Sequence, residues 1–119
     1  MLTPAPLLGA GPVCVQLFGA NPEHFYRSAH AMAQLGFAGI DLNFGCPDKS
    51  VVGRQGAGSA LIGEPEVAKQ IVLAAQEGAR DGSVAAGLSA AVPVSVKTRI
   101  GLERDIVEEW MSHLVVCAV

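Results

Sequence analysis

The chain reads as α/β, about three consecutive βα units with parallel strands. Three short apolar runs, residues 13–18, 39–42 and 93–97, alternate with stretches that carry apolar residues near helical spacing. That βαβαβα order predicts a parallel sheet joined by right-handed crossovers. A further observation is chemical: polar side chains cluster where the apolar runs end. Ligands bind at the carboxyl ends of parallel strands, so a site is expected there.

Taken in order, residues 1–12 are rich in proline and glycine and read as a loose lead-in to a domain covering 13–119. The run Val13-Cys14-Val15-Gln16-Leu17-Phe18 has the pattern of a strand buried on both faces, with Gln16 its one long polar residue. Gln16 is either a structural amide or a ligand contact. Asn21-Pro22-Glu23 predicts a helix start: a capping side chain, proline in the first turn, then an acid near the positive end of the dipole. Phe25, Ala29, Met32, Ala33 and Leu35 form its apolar stripe, and Gly36 its left-handed stop. His24 and His30 carry no assigned role.

The second strand, 39–42, passes into a loop at Asn43, with Leu42 and Phe44 turned to packing and Asn43 and Cys46 facing the space above the strand. Asp41 reads as a hydrogen-bonded acid of the strand surface. Residues 47–59 read as a polar loop with Lys49, Arg54 and three glycines. They lack the spacing of a phosphate-binding loop, so the glycines are read as letting backbone approach a bulky substrate. A helix follows from Glu64-Pro65-Glu66, with Val67, Ile71, Ala74 and Ala75 buried and Gly78 closing it. Residues 80–91 read as an extended connection. Pro93 opens the third strand, Lys97 and Arg99 stand at its carboxyl end, and a helix from Asp105 to Val116 carries Ile106, Trp110 and Leu114 on one face.

Composition excludes several classes. No apolar run reaches the roughly 18 residues of a membrane helix, and residues 1–12 lack the basic start and apolar core of a signal peptide. A cytoplasmic location is expected. The net charge of −3 offers no basic patch for nucleic acid. Cys14, Cys46 and Cys117 include no Cys-x-x-Cys pair, and His24, His30 and His113 lack metal-ligand spacing, so no metal is expected. Cys14 and Cys117 are read as core thiols, which leaves Cys46 for chemistry.

Three blocks carry a resemblance. Asn43-Phe44-Gly45-Cys46-Pro47 with Gly56-Ala57-Gly58-Ser59-Ala60-Leu61, Val15-Gln16-Leu17-Phe18-Gly19, and Pro93 through Gly101 are together similar to the tRNA-dihydrouridine synthases, flavin enzymes built on a TIM barrel. The chain is too short for the roughly 250 residues of a closed barrel. It is therefore expected to be a partial (β/α)8 barrel, with the remaining strands and a C-terminal RNA-binding domain absent.

The resemblance implies FMN as cofactor, NADPH as reductant and tRNA as substrate. It implies Cys46 as general acid opposite the reduced flavin, since a free thiol with a reference pKa of about 8.5 is mostly protonated at neutral pH. Gln16, Lys97 and Asn43 would hold the cofactor, Lys97 by placing positive charge near the N1/C2=O edge. Asn43, Arg54 and Arg99 would meet the RNA, whose target base must leave its stack. Two alternatives remain: an FMN enzyme of free pyrimidines, of the dihydroorotate dehydrogenase type, and an inactive barrel fragment.

Overall fold

Alternation along the strands sets the architecture. A computed structural model describes residues 11–99 and 107–116, apart from the side chains of Arg54, Val107, Val115 and Val116. Its strands β1 (Cys14–Leu17), β2 (Gly39–Phe44) and β3 (Val94–Thr98) form one parallel sheet in that order. Val15 and Leu17 pair with Ile40 and Leu42, which in turn pair with Val94 and Val96. These apolar residues share one face. Helices α1 (Pro22–Gln34), α2 (Lys49–Gln55), α3 (Pro65–Ala85) and α4 (Val107–Val116) intervene or follow, with a 3₁₀ helix at Gly58–Gly63. Three parallel strands alternating with helices are consistent with part of a (β/α)8 barrel.

Ile40, Leu42 and Phe44 are fully buried against the helices, and each such side chain contributes about 1.5–3 kcal/mol. Trp110 of α4 meets Phe44 with ring centroids 6.0 Å apart and donates its indole N–H to Thr98 Oγ1 at 3.1 Å. Its polar atom is thereby satisfied inside the core.

The other sheet face departs from the expectation of strands apolar on both sides. It carries Cys14 and Gln16, then Asp41 and Asn43, then Ser95 and Lys97, by strand parity and register. Cys14 is accordingly an exposed thiol of this open face, not a core residue. Cys117 lies outside the described residues, as do residues 1–10, Asp105 and Ile106.

The first helix forms as its sequence predicts. Asn21 Oδ1 accepts from the Glu23 backbone N–H at 2.9 Å, Pro22 is the first helical residue, and Gly36 follows the helix end at φ +92°. Two expectations about glycine fail. Residues 47–59 contain a true helix: Asp48 Oδ1 accepts from Ser50 N–H at 2.8 Å, and Gly56 ends the turn at φ +60°. The Ser50 hydroxyl, then its backbone N–H, holds the Asp48 carboxyl below its ordinary pKa.

Gly78 does not close α3, which runs on to Ala85 across residues read as extended. Gly78 and Gly82 are buried against the carbonyls of Tyr26 and His30 in α1. Small residues here serve helix crossing, not helix ending. Beyond them, Ser83 Oγ donates to Ala79 O at 2.6 Å and accepts from Val92 N–H at 3.0 Å, which fixes the approach to β3.

His113 joins α4 to α3. Its Nδ1 lies 2.8 Å from Glu109 O and its Nε2 3.1 Å from Glu66 Oε1. Both acceptors are satisfied together only when both ring nitrogens carry protons. The hydrogen bond to the Glu109 carbonyl, followed by that to Glu66, raises the His113 pKa above its usual 6.5. A raised folded-state pKa stabilises the fold below the unfolded value and is lost as pH rises through the folded one. Unfolding curves should therefore show stability falling as pH is raised from 6 upward through the raised value, and Glu66→Gln should flatten that slope. A slope unchanged in the variant would remove Glu66 from the account.

Candidate active site

Parity alone places Asn43 and Lys97 side by side, because they are register partners on the open face near the carboxyl ends of β2 and β3. The chain leaves β2 two residues later than predicted: Asn43 lies within the strand, which pairs with β3 as far as Phe44 opposite Thr98. The continued ladder holds the Asn43 backbone, so its side chain is free to organise the turn. Asn43 Oδ1 accepts from the backbone N–H groups of Gly45 and Cys46, at 3.1 and 3.0 Å.

Two further contacts brace that turn. Arg99 donates from Nε to Gly45 O at 2.8 Å, and Ser59 N–H donates to Cys46 O at 2.9 Å. Gly58, at φ +59°, makes the second possible, since a Cβ there would lie 2.5 Å from Cys46 O. The backbone that this glycine admits is the chain's own.

The result is a cleft of about 380 Å³ lined by Asn43, Gly45, Cys46, Pro47, Lys97, Thr98 and Arg99. Cys46 is half-buried in it, as a free thiol. Lys97 is exposed on the same side, and none of the described residues lining the cleft carries a carboxylate. A thiol, an ammonium and a guanidinium thus face one space at a strand end. A second hollow of about 430 Å³ lies around Phe18, Asn21, His24 and Gln55. It holds no such grouping, so the smaller cleft is the site candidate.

Four of the singled-out residues, Asn43, Cys46, Lys97 and Arg99, therefore meet. Gln16 does not line the cleft but joins it indirectly, accepting at Oε1 from Asn43 Nδ2 at 3.3 Å. Arg54 belongs to α2, and its side chain lies outside the described part. Asp41 and Ser95 were not read as a pair. Gln16 Nε2 donates to Asp41 Oδ2 at 2.7 Å, and Ser95 Oγ donates to Asp41 Oδ1 at 2.8 Å. The usable signal was the period of two that puts residues 41 and 43 on one face.

A parallel βα sheet with a thiol and cations at its carboxyl rim defines an enzyme-type site of the barrel class. The comparisons narrow that class. The family model described as dihydrouridine synthase (Dus) matches residues 3–115. The chain is 39% identical over 104 residues to the probable tRNA-dihydrouridine synthase 2 of Bacillus subtilis strain 168. It is 38% identical over the same length to probable tRNA-dihydrouridine synthases of Staphylococcus aureus strain Mu50 and Staphylococcus epidermidis strain RP62A. Each alignment covers 87% of this chain and 28% of the relative. This chain belongs to the dihydrouridine synthase family.

Proposed function

We propose that this chain contributes the catalytic-acid and part of the cofactor face of an enzyme that reduces uridine in tRNA to dihydrouridine. The cleft that gathers Cys46, Asn43, Lys97 and Arg99 at one strand rim carries the reading. Its lining suits FMN: the Lys97 ammonium and the Asn43 carboxamide border the space, and none of the described lining residues is a carboxylate that would oppose an electron-rich ring edge. When bound and reduced by a nicotinamide nucleotide of the NADPH type, FMN would supply hydride chemistry for C6 of the uracil.

The protein's own residues do the rest. Cys46 Sγ–H gives the proton to C5, so that one hydride and one proton saturate the C5=C6 bond. Lys97 balances negative charge at the cofactor's edge, and Gln16 and Asn43 orient it. Arg99 is committed through Nε to Gly45 O, leaving its outer nitrogens for an anionic RNA backbone. Arg54 is a second candidate for that contact. The remaining strands and most of the cationic RNA surface belong to the rest of the enzyme, and its location is with tRNA in the cytoplasm. No helix among the described residues is long and apolar enough to cross a membrane.

The deciding experiment purifies the complete enzyme carrying this chain and assays unmodified tRNA beside free uracil and dihydroorotate. Flavin absorption with turnover on tRNA is expected. Turnover confined to the free pyrimidines would move the site to that substrate class. Material with neither flavin nor turnover would leave an inactive barrel fragment.

A further inference from the structure

The open sheet face holds a chain of hydrogen bonds that starts from an acceptor-only group. Asp41, half-buried at the centre of the face, is acceptor-only as a carboxylate. Its Oδ1 is taken by the Ser95 hydroxyl at 2.8 Å and its Oδ2 by Gln16 Nε2 at 2.7 Å. A carboxamide whose nitrogen faces Asp41 must turn its oxygen away. Gln16 Oε1 accordingly accepts from Asn43 Nδ2 at 3.3 Å, and Asn43 then has Oδ1 for the Gly45 and Cys46 N–H groups. The two backbone N–H groups at the far end require the same direction.

We infer that Asp41 is the positioning residue of this site, setting the orientation of both the Gln16 and Asn43 carboxamides and, through Asn43, the turn that holds Cys46. Counting valences gives a consequence. Both lone pairs of Asn43 Oδ1 are used, whereas Gln16 and Asn43 each retain one N–H beyond those bonds. Toward a ligand Asn43 is thereby left a donor only, while Gln16 keeps one N–H and one lone pair of Oε1. At Asn43 the face therefore reads acceptor atoms, a carbonyl oxygen or an unprotonated ring nitrogen, and disfavours an N–H edge. The ligand consequence rests on the FMN reading above; the orientation of the amides and of the turn does not.

Two variants of the complete enzyme test this, each with two readouts: hydrogen exchange at the Gly45 and Cys46 amides, and FMN titration of the apoprotein. Asp41→Ala frees Gln16 to rotate. Exchange protection at both amides should fall and the FMN Kd should rise, each by about tenfold, the usual effect of losing one such hydrogen bond. The melting temperature should stay within a few degrees, which a purely structural role for Asp41 would not allow.

The double variant Gln16→Glu with Asp41→Asn reverses the polarity of the pair at constant net charge. A carboxylate at position 16 accepts from both neighbouring amides, so protection at Gly45 and Cys46 should return. FMN affinity should stay low, because position 16 no longer offers an N–H. Unchanged protection in Asp41→Ala, or recovery of FMN affinity in the double variant, would overturn the inference. If either variant fails to fold, the other decides by the same two readouts. Wild-type protein that binds no FMN while Asp41→Ala still loses protection would sink the cofactor reading and support the positioning role.

Discussion

Replacing Cys46 by alanine in the complete enzyme is expected to leave flavin bound and reducible while dihydrouridine formation falls by about 10²–10⁴-fold, the usual share of a positioned general acid. The thiol sits in a turn fixed from three directions, by Asn43 Oδ1, by Arg99 Nε on Gly45 O and by Ser59 N–H on Cys46 O. None of those contacts involves sulfur, so removing the sulfur should spare the turn. Cofactor content and the rate of flavin reduction by NADPH serve as the internal controls. A variant that modifies tRNA at near the wild-type rate would remove Cys46 from the chemistry. A variant that loses flavin as well would show that the thiol supports the cofactor.

The second large effect is on stability. An alanine at Gly78 would place its Cβ 2.2 Å from Tyr26 O, and one at Gly82 would lie 2.3 Å from His30 O. Both obstacles are backbone of α1, which cannot rotate aside. Two magnitudes compete. Alanine in a helix interior is worth about 1 kcal/mol over glycine, whereas overpacking a close contact costs about 1–3 kcal/mol and sometimes more. The contact distance decides the sign: Gly78→Ala should lower the urea midpoint, equivalent to about 2 kcal/mol or more. Gly53, in α2, has nothing within 4 Å of its virtual Cβ, so Gly53→Ala should raise the midpoint. A raised midpoint for Gly78→Ala would mean that α1 and α3 cross less closely than described.

These two sites also differ in how far the sequence reveals them. The turn that carries Cys46 was legible because short local signals agree: an apolar strand, an amide near its end, then Gly-Cys-Pro. The cap at Asn21-Pro22-Glu23 was legible for the same reason. Gly78 was misread because a glycine late in an amphipathic run looks like a stop, and only the presence of another helix shows that it is a crossing point. The helix at Lys49–Gln55 was missed although its own Asp48 cap and Gly56 stop are in the sequence. Its glycines and cations outweighed a local signal that was present.

From the residues alone came the α/β class, the three βα units and the gathering of Gln16, Asn43, Cys46, Lys97 and Arg99 at one rim, of which Gln16 lies outside the cleft and joins it through Asn43. All of these follow from periodicity and local turn chemistry, which act over a few neighbouring residues. The direction of the amide chain from Asp41, the polar character of the open sheet face and the glycine crossing of α1 and α3 depend on register and on contacts between segments 25 to 54 residues apart. Whether Asp41 lies opposite Gln16 and Ser95 is set by how three strands align. That alignment is decided by burying Ile40, Leu42 and Phe44 together, because a slip of one residue would turn those side chains to the open face.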